Sequence, residues 1–318
     1  MTKYIHSVFT FLTMLLLTSC LEEVNESSLT GDERIVINAL ITNDEGPYFV
    51  RVSKSSTRLQ DFTTDEAFGF IQKIDDRFVF EPVTDAIVTI QDDLGNIDIL
   101  ELWDETYPNA AVADSWAELG FYRTTTDLRG EPGRTYTLTV KYNGQEYKAE
   151  ASMPSAPPKI DEVTFVDKIL TSGQPEPFKI PVVSFDEPQD HKNYYMFFFR
   201  NHEENVLRNN LWTMLYEDFI TFDDEFLKPR VENLNLDSGI EVGESLDPLF
   251  SGRDVEIEIH TLSKSAFKYY ESLKEQIRND GGTFSPAPAS PPTNISNGGL
   301  GFFRVSAVNE IVVPFPED

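Results

Sequence analysis

Residues 135–152, TYTLTVKYNGQEYKAEAS, constrain this chain more than any other stretch. Two alternating segments flank Asn143-Gly144, a pair that accepts positive φ and so forms the two-residue turn whose twist matches a hairpin. Alternation with a period of two gives a strand one apolar face, and no helix can use it. The chain must therefore build an antiparallel sheet here.

The same pattern repeats around it. Residues 34–41 (RIVINALI) and 48–53 (YFVRVS) are apolar, β-branched runs joined by the turn formers of 42–47. Residues 86–91 (AIVTIQ) and 97–102 (IDILEL) alternate on either side of 92–96, and 120–126 precedes the turn at 129–133. Short strands at this spacing, without a helical period between them, predict a β-sandwich over 33–153. Pro154, Pro157 and Pro158 then interrupt the pattern, so 154–158 reads as an interdomain linker.

Further strands follow at 160–166, 178–185, 194–200 and 254–260. The run YYMFFF at 194–199 is apolar on both faces, which predicts a central strand. Ser263 can cap a helix near 264–279, with Ala266, Tyr269, Tyr270, Leu273 and Ile277 at helical spacing until 279–282 (NDGG) stops it. Residues 283–299 read as a long loop and 301–308 as a returning strand. The expected fold is mainly β, with two sandwich-like domains at 33–153 and 159–318, the second carrying one helix.

Before the first strand stands the only cysteine, in LLLTSCLEE. Lys3, an apolar run at 8–17 and small residues before Cys20 have the layout of a secretory signal over 1–19. The run is about half the roughly 20 residues needed to span a bilayer, so cleavage is expected. Leu17-Thr18-Ser19-Cys20 resembles the bacterial lipobox, which implies that Cys20 is lipidated and becomes the first mature residue. Residues 20–32 are polar and lack a hydrophobic period, the character of a flexible tether. Glu22-Glu23 beside the cysteine resembles the surface-export signal of Bacteroidota lipoproteins.

Charge narrows the partners. The chain has a formal charge of -28; without residues 1–19 it keeps 25 basic against 54 acidic side chains, or -29. Polyanions would be repelled, which argues against nucleic acid as a partner. With Cys20 acylated, no disulfide is possible, and packing must supply the stability.

Taken together, the lipobox, RIVINALITNDEGPYFVRVS, PVTDAIVTIQDDLGN, GRTYTLTVKYNGQEYKAEASMP, SKSAFKYYESL and GGLGFFRVSAV resemble a Bacteroidota outer-membrane lipoprotein family known as domain of unknown function 4249. The region 82–147 also resembles the immunoglobulin or transthyretin-like sandwich of carboxypeptidase-regulatory domains. The family resemblance implies an outer-membrane location, often beside TonB-dependent transporters, and brings no catalytic residues.

Candidate sites are few. G-x-S-x-G, P-loop and H-E-x-x-H signatures are absent from the sequence. Of the acidic clusters, Asp75-Asp76, Asp92-Asp93 and Asp223-Asp224-Glu225 lack calcium-loop spacing. Asp92-Asp93 fits a turn, whereas Asp223, Asp224 and Glu225 stay as a weak metal candidate. His191, His202 and His260 are too dispersed to suggest zinc, and His191 and His260 read as surface or satisfied histidines. Trp103 precedes the loop 104–119, Tyr107 and Trp116 lie in it, and Trp212 and Tyr216 lie in a second loop, 207–232; such aromatics can stack on a glycan or peptide, or fold back over a sheet edge. The expectation is a non-enzymatic, cofactor-free lipoprotein held on the outer membrane, at the cell surface, as an accessory to a TonB-dependent transporter. A periplasm-facing structural lipoprotein and a hydrolase built from scattered carboxylates are the alternatives.

Overall fold

A computed structural model describes residues 33–55, 73–74, 77–78, 81–106, 113–168, 178–202, 219–237, 254–278 and 290–316. Cys20 and the expected signal and tether lie outside these residues, as do Asp75, Asp76, Tyr107, Trp212 and Tyr216. The described chain is mainly β, with one α-helix.

The first sandwich is built as the alternation predicts. Strands β1 (Ile35–Ile41) and β2 (Phe49–Lys54) form the first hairpin, with β3 (Lys73–Ile74) and β4 (Arg77–Phe78) pairing as a separate small ladder. β5 (Glu81–Pro82) adds to β2, β6 (Ile87–Asp92) pairs with β7 (Ile97–Ile99), and β8 (Glu101–Leu102) pairs with β9 (Phe121–Arg123). The hairpin of β10 (Thr135–Tyr142) and β11 (Gln145–Ser152) turns at Asn143 and Gly144, whose φ values are 48° and 74°. One sheet runs β11-β10-β6-β7, and its inner residues Val88, Ile90, Leu138 and Val140 meet Ile37, Ile41, Val50 and Val52 of the other. The expected strand 97–102 is in fact split. Leu100 N–H still donates to Val88 O, after which β8 has crossed into the opposite sheet.

That opposite sheet contains a strand from far along the chain. Its order is β18-β1-β2-β9-β8, where β18 (Leu300–Val305) lies parallel to β1. Phe303, Val305 and Ala307 thereby enter the first core. Gly301 makes the pairing possible: its φ is 85°, and a Cβ there would lie 2.2 Å from Ile37 O. The segment 159–318 is thus not confined to a second sandwich.

The second sandwich packs β12 (Ile160–Lys168), β13 (Phe178–Asp186) and β16 (Arg230–Asn235) against a sheet of order β15-β14-β17-β19. Here β14 is Tyr194–Asn201, β15 Ile220–Asp223, β17 Asp254–Thr261 and β19 Val308–Pro314. β15 and β16 occupy part of the stretch expected as a loop at 207–232. The expected strand 301–308 divides at Ser306 and Ala307, where the chain leaves the first sandwich and enters the second. YYMFFF is central as expected: Tyr195 and Phe197 face one core, and Met196 and Phe198 the other. The linker is tied to this sheet, because Thr261 Oγ1 donates to Ser155 O (2.7 Å) and Asn309 Nδ2 to Pro157 O (2.6 Å).

Helix α1 (Lys264–Arg278) starts where Ser263 accepts from the Ala266 N–H at 3.2 Å. Ala266, Phe267, Tyr269, Tyr270 and Leu273 pack on Met196, Phe198 and Phe302. The helix therefore covers the second face of β14 and touches the returning strand. Both faces of β17 are buried beyond Asp254, which decides the chemistry of its charged residues.

Candidate functional site

On β17 the sequence DVEIEIH puts Val255, Ile257 and Ile259 into the second core. Glu256, Glu258 and His260 must then share the opposite face. In a two-layer sandwich that face would meet water, but here helix α1 and the first sheet cover it. Glu256 is 1% exposed, Glu258 5% and His260 0%.

Burying carboxylates costs several kcal/mol each unless charge and hydrogen bonds are supplied. Arg200 on β14 lies opposite Glu256 in register, and its Nη2 donates to Glu256 Oε1 at 2.6 Å and also to Glu258 Oε1. His202 Nδ1 is 2.8 Å from Glu256 Oε2, and His260 Nε2 is 2.7 Å from Glu258 Oε2. Two histidines 58 positions apart are thus held on adjacent glutamates by neighbouring strands.

The first sandwich contributes the second guanidinium. Arg304 on β18 is 1% exposed; its Nη1 donates to Met196 Sδ at 2.8 Å, and its Cζ sits 5.7 Å from the Phe198 ring and 5.2 Å from the Tyr270 ring. The loop after β1 adds Asn43, whose Nδ2 donates to Val308 O at 3.1 Å. Nearby Asp44 feels Glu258 and Glu310.

Burial, then the guanidinium of Arg304, drive the His260 imidazole down to about 4 against the opposing bond to Glu258, so it is neutral at neutral pH. A neutral ring bound to a carboxylate presents Nε2–H to Glu258. Burial opposes ionisation of Glu258, but the His260 bond and Arg200 outweigh it and hold the carboxyl near 2. Asp44 is pushed up to about 6 by burial and then by Glu258 and Glu310. Glu256, Glu258 and Glu310 bring oxygens within 4.8 Å of one another, a donor set suited to a hard cation. Arg200 already bridges two of those carboxylates, so a cation of this chain stands where they converge; Arg304 and Asn43 tie the same sheet to the first sandwich.

The sequence-predicted residues fall elsewhere. Asp223 caps a short 3-10 turn by accepting from Glu225 N–H at 2.8 Å, and Lys192 Nζ contacts both Asp223 and Asp224, the latter at 2.8 Å. The cation those two aspartates gather is a lysine of this chain; Glu225 itself is exposed. Asp92 accepts the N–H groups of Leu94 (3.0 Å) and Asn96 (2.8 Å), as a turn aspartate does. His191 is exposed and pairs with Asp190 at 2.7 Å.

Trp103 is 4% exposed and stacks on Trp116 at 4.7 Å, with the Phe49 ring 4.6 Å away. These rings fold back over the outer face of the first sheet, so Trp103 offers no open platform, and Trp116 is half-buried. A shallow cleft of about 180 Å³ opens where the described chain begins, between Glu33, Arg34, Lys54, Tyr142 and Tyr147. Sequence reading missed the buried network because DVEIEIH looks like a strand with one wet face. Its usable signal is the neighbouring YYMFFFR, a central strand with an arginine in register.

The fold and network define a class: a mainly β protein whose two sandwiches are linked by a returning segment, β18 in one and β19 in the other, beside a buried ion network. The chain belongs to the family described as "Domain of unknown function (DUF4249)", whose model matches residues 22–311. No curated protein matches it in sequence.

Proposed function

We propose that this protein is a lipoprotein anchored through Cys20 to the outer membrane of a Bacteroidota cell, facing the surface, and that it works without catalysis as an accessory to a TonB-dependent transporter. The observation that carries the reading is the lipobox Leu17-Thr18-Ser19-Cys20 at the end of a short apolar run.

Geometry adds a bound. The 13 residues of 20–32 reach at most about 45 Å when fully extended, so β1 would start within that distance of the bilayer. The Glu33 end of the first sandwich would face the membrane, leaving loops at the far end for a transporter, glycan or peptide. Kinship of that sandwich with transthyretin-like domains belongs to the same proposal, supported by its two sheets over one core.

Fractionation tests the anchor: the native protein should pellet with outer membranes and Cys20→Ala should not. Added protease should degrade it on intact cells; protection until the membrane is broken would instead favour the periplasm-facing reading. Purification from its own membrane should bring down a transporter, and recovery without one would remove the accessory role.

A further inference from the structure

Strand β7 is inverted relative to the rest of its sandwich. Asp98 points inward and is 2% exposed, while its neighbours Ile97 and Ile99 point outward at 57% and 63% exposed. A slip of one residue would bury both isoleucines. The chain prevents the slip: Asp98 accepts from Thr125 N–H (3.1 Å) and Oγ1 (2.9 Å), and from Thr126 N–H (3.0 Å) and Oγ1 (2.6 Å). Those bonds tie the edge of one sheet to the loop after β9 of the other.

The outward isoleucines are not isolated. Ile99 lies opposite Thr89 on β6, and Ile87, two residues along the same face, is 59% exposed. Thr89 and Gln91 pair in turn with Thr139 and Thr137 on β10, so the middle of this flat face is aliphatic and neutral. Charge begins at Lys141 on β10, which stands opposite Ile87 and pairs with Glu146 at 3.4 Å, and continues on β11, where Lys148 holds Glu146 at 2.7 Å and Glu150 follows. Two lysines and two glutamates cancel, on a chain whose net charge is -28. Depletion of charge around exposed aliphatics is the compositional mark of an interface centre.

We propose that this face of β11-β10-β6-β7 is a self-association surface on which a second copy of the chain packs, sheet against sheet, about a two-fold axis. Charge complementarity selects the occupant. A strongly acidic chain meets its own copy favourably only where its charge vanishes, and the lysine and glutamate margin is self-complementary under a two-fold. Face-to-face packing is favoured over strand addition because Thr125 Oγ1 already donates to Ile99 O at 3.3 Å on the outer edge. Flat faces of branched aliphatic residues interdigitate in this way when two sheets stack.

Sedimentation velocity of the full chain in mild detergent, across a concentration series, tests the proposal. The wild type should associate to a dimer, and the double variant Ile97→Glu/Ile99→Glu should associate at least about tenfold more weakly, equivalent to 1.4 kcal/mol or more. Both side chains are more than half exposed, so the variant should keep its Tm and far-ultraviolet circular dichroism. Val166→Glu, at an exposed site on β12, controls for added charge and should leave the dimer intact. A wild type that stays monomeric throughout, a dimer that survives the double variant, or a dimer lost equally in Val166→Glu would each overturn the assignment. A monomer whose copurifying partner is lost in the double variant would also overturn it, giving the face to another protein.

Discussion

Arg200 Nη2 stands 2.6 Å from Glu256 Oε1, and the two residues face each other on adjacent strands in the middle of the protein. The same guanidinium contacts Glu258, so one cation is shared between two buried carboxylates. Removing Arg200 leaves two buried carboxylates without their shared donor, and neutralising Glu258 takes the charged acceptor from both Arg200 and His260. Arg200→Met or Glu258→Gln should each destabilise the protein by about 3 kcal/mol, and the double variant by less than their sum. Urea midpoints of the three variants check this; strict additivity would mean that the residues do not interact.

Asp44 gives the network a pH dependence. Its folded carboxyl titrates at about 6, above an unfolded value of about 3.9, so the folded state holds the proton more tightly. The resulting stability is fully present below the unfolded value and is lost as pH rises through 6. Asp44→Asn removes that loss. It should be more stable than wild type at pH 8, by about 1 kcal/mol for this partly exposed group, and the advantage should shrink toward pH 4. Chemical denaturation at both pH values reads the difference.

Asp98 has the opposite sign. Burial pushes its carboxyl up, but the bonds from Thr126 and Thr125 outweigh burial and hold it below the ordinary range. Its contribution is present above the unfolded pKa and is lost as pH falls through the folded one. Asp98→Asn should cost about 3 kcal/mol at pH 7, and the gap to wild type should narrow as the pH drops below about 4. An unchanged gap at low pH would show that charge is not what locks β7.

Local signals in the sequence were sufficient for some elements and not for others. The β10-β11 hairpin was legible because Asn143-Gly144 and its flanking alternation are adjacent residues. The central position of β14 followed from aromatics on both of its faces, and α1 from its cap and stripe. By contrast, the alternation of β7 marks two faces without saying which is inside, since that depends on Thr125 and Thr126 across the sandwich. DVEIEIH is ambiguous in the same way: its charged side reads as wet until α1 and β18 are known to cover it. The Asp223 group looked like a cation site because Lys192, its partner, lies 31 positions away. Parallel pairing of β18 with β1 carries no local mark at all beyond Gly301.

That pairing makes the first sandwich depend on the end of the chain. Ile295, Phe303, Val305 and Ala307 sit in the same core as Ile37 and Val50. A fragment of residues 33–158 would expose those core positions and leave the β1 edge unpaired, an arrangement prone to association. The fragment should therefore lack a cooperative thermal transition, and a peptide of 290–307 added in trans should restore it. In the full chain, Gly301→Ala tests the same joint. The new methyl would meet Ile37 O in a backbone conformation that alanine resists, so a loss of about 2 kcal/mol or more is expected. Because Arg304 on the same strand is buried against Met196 of the second sandwich, both sandwiches should lose stability together. Hydrogen exchange of Gly301→Ala would show this as faster exchange in β1 and β14 alike, and protection lost in β1 alone would mean that the sandwiches unfold independently.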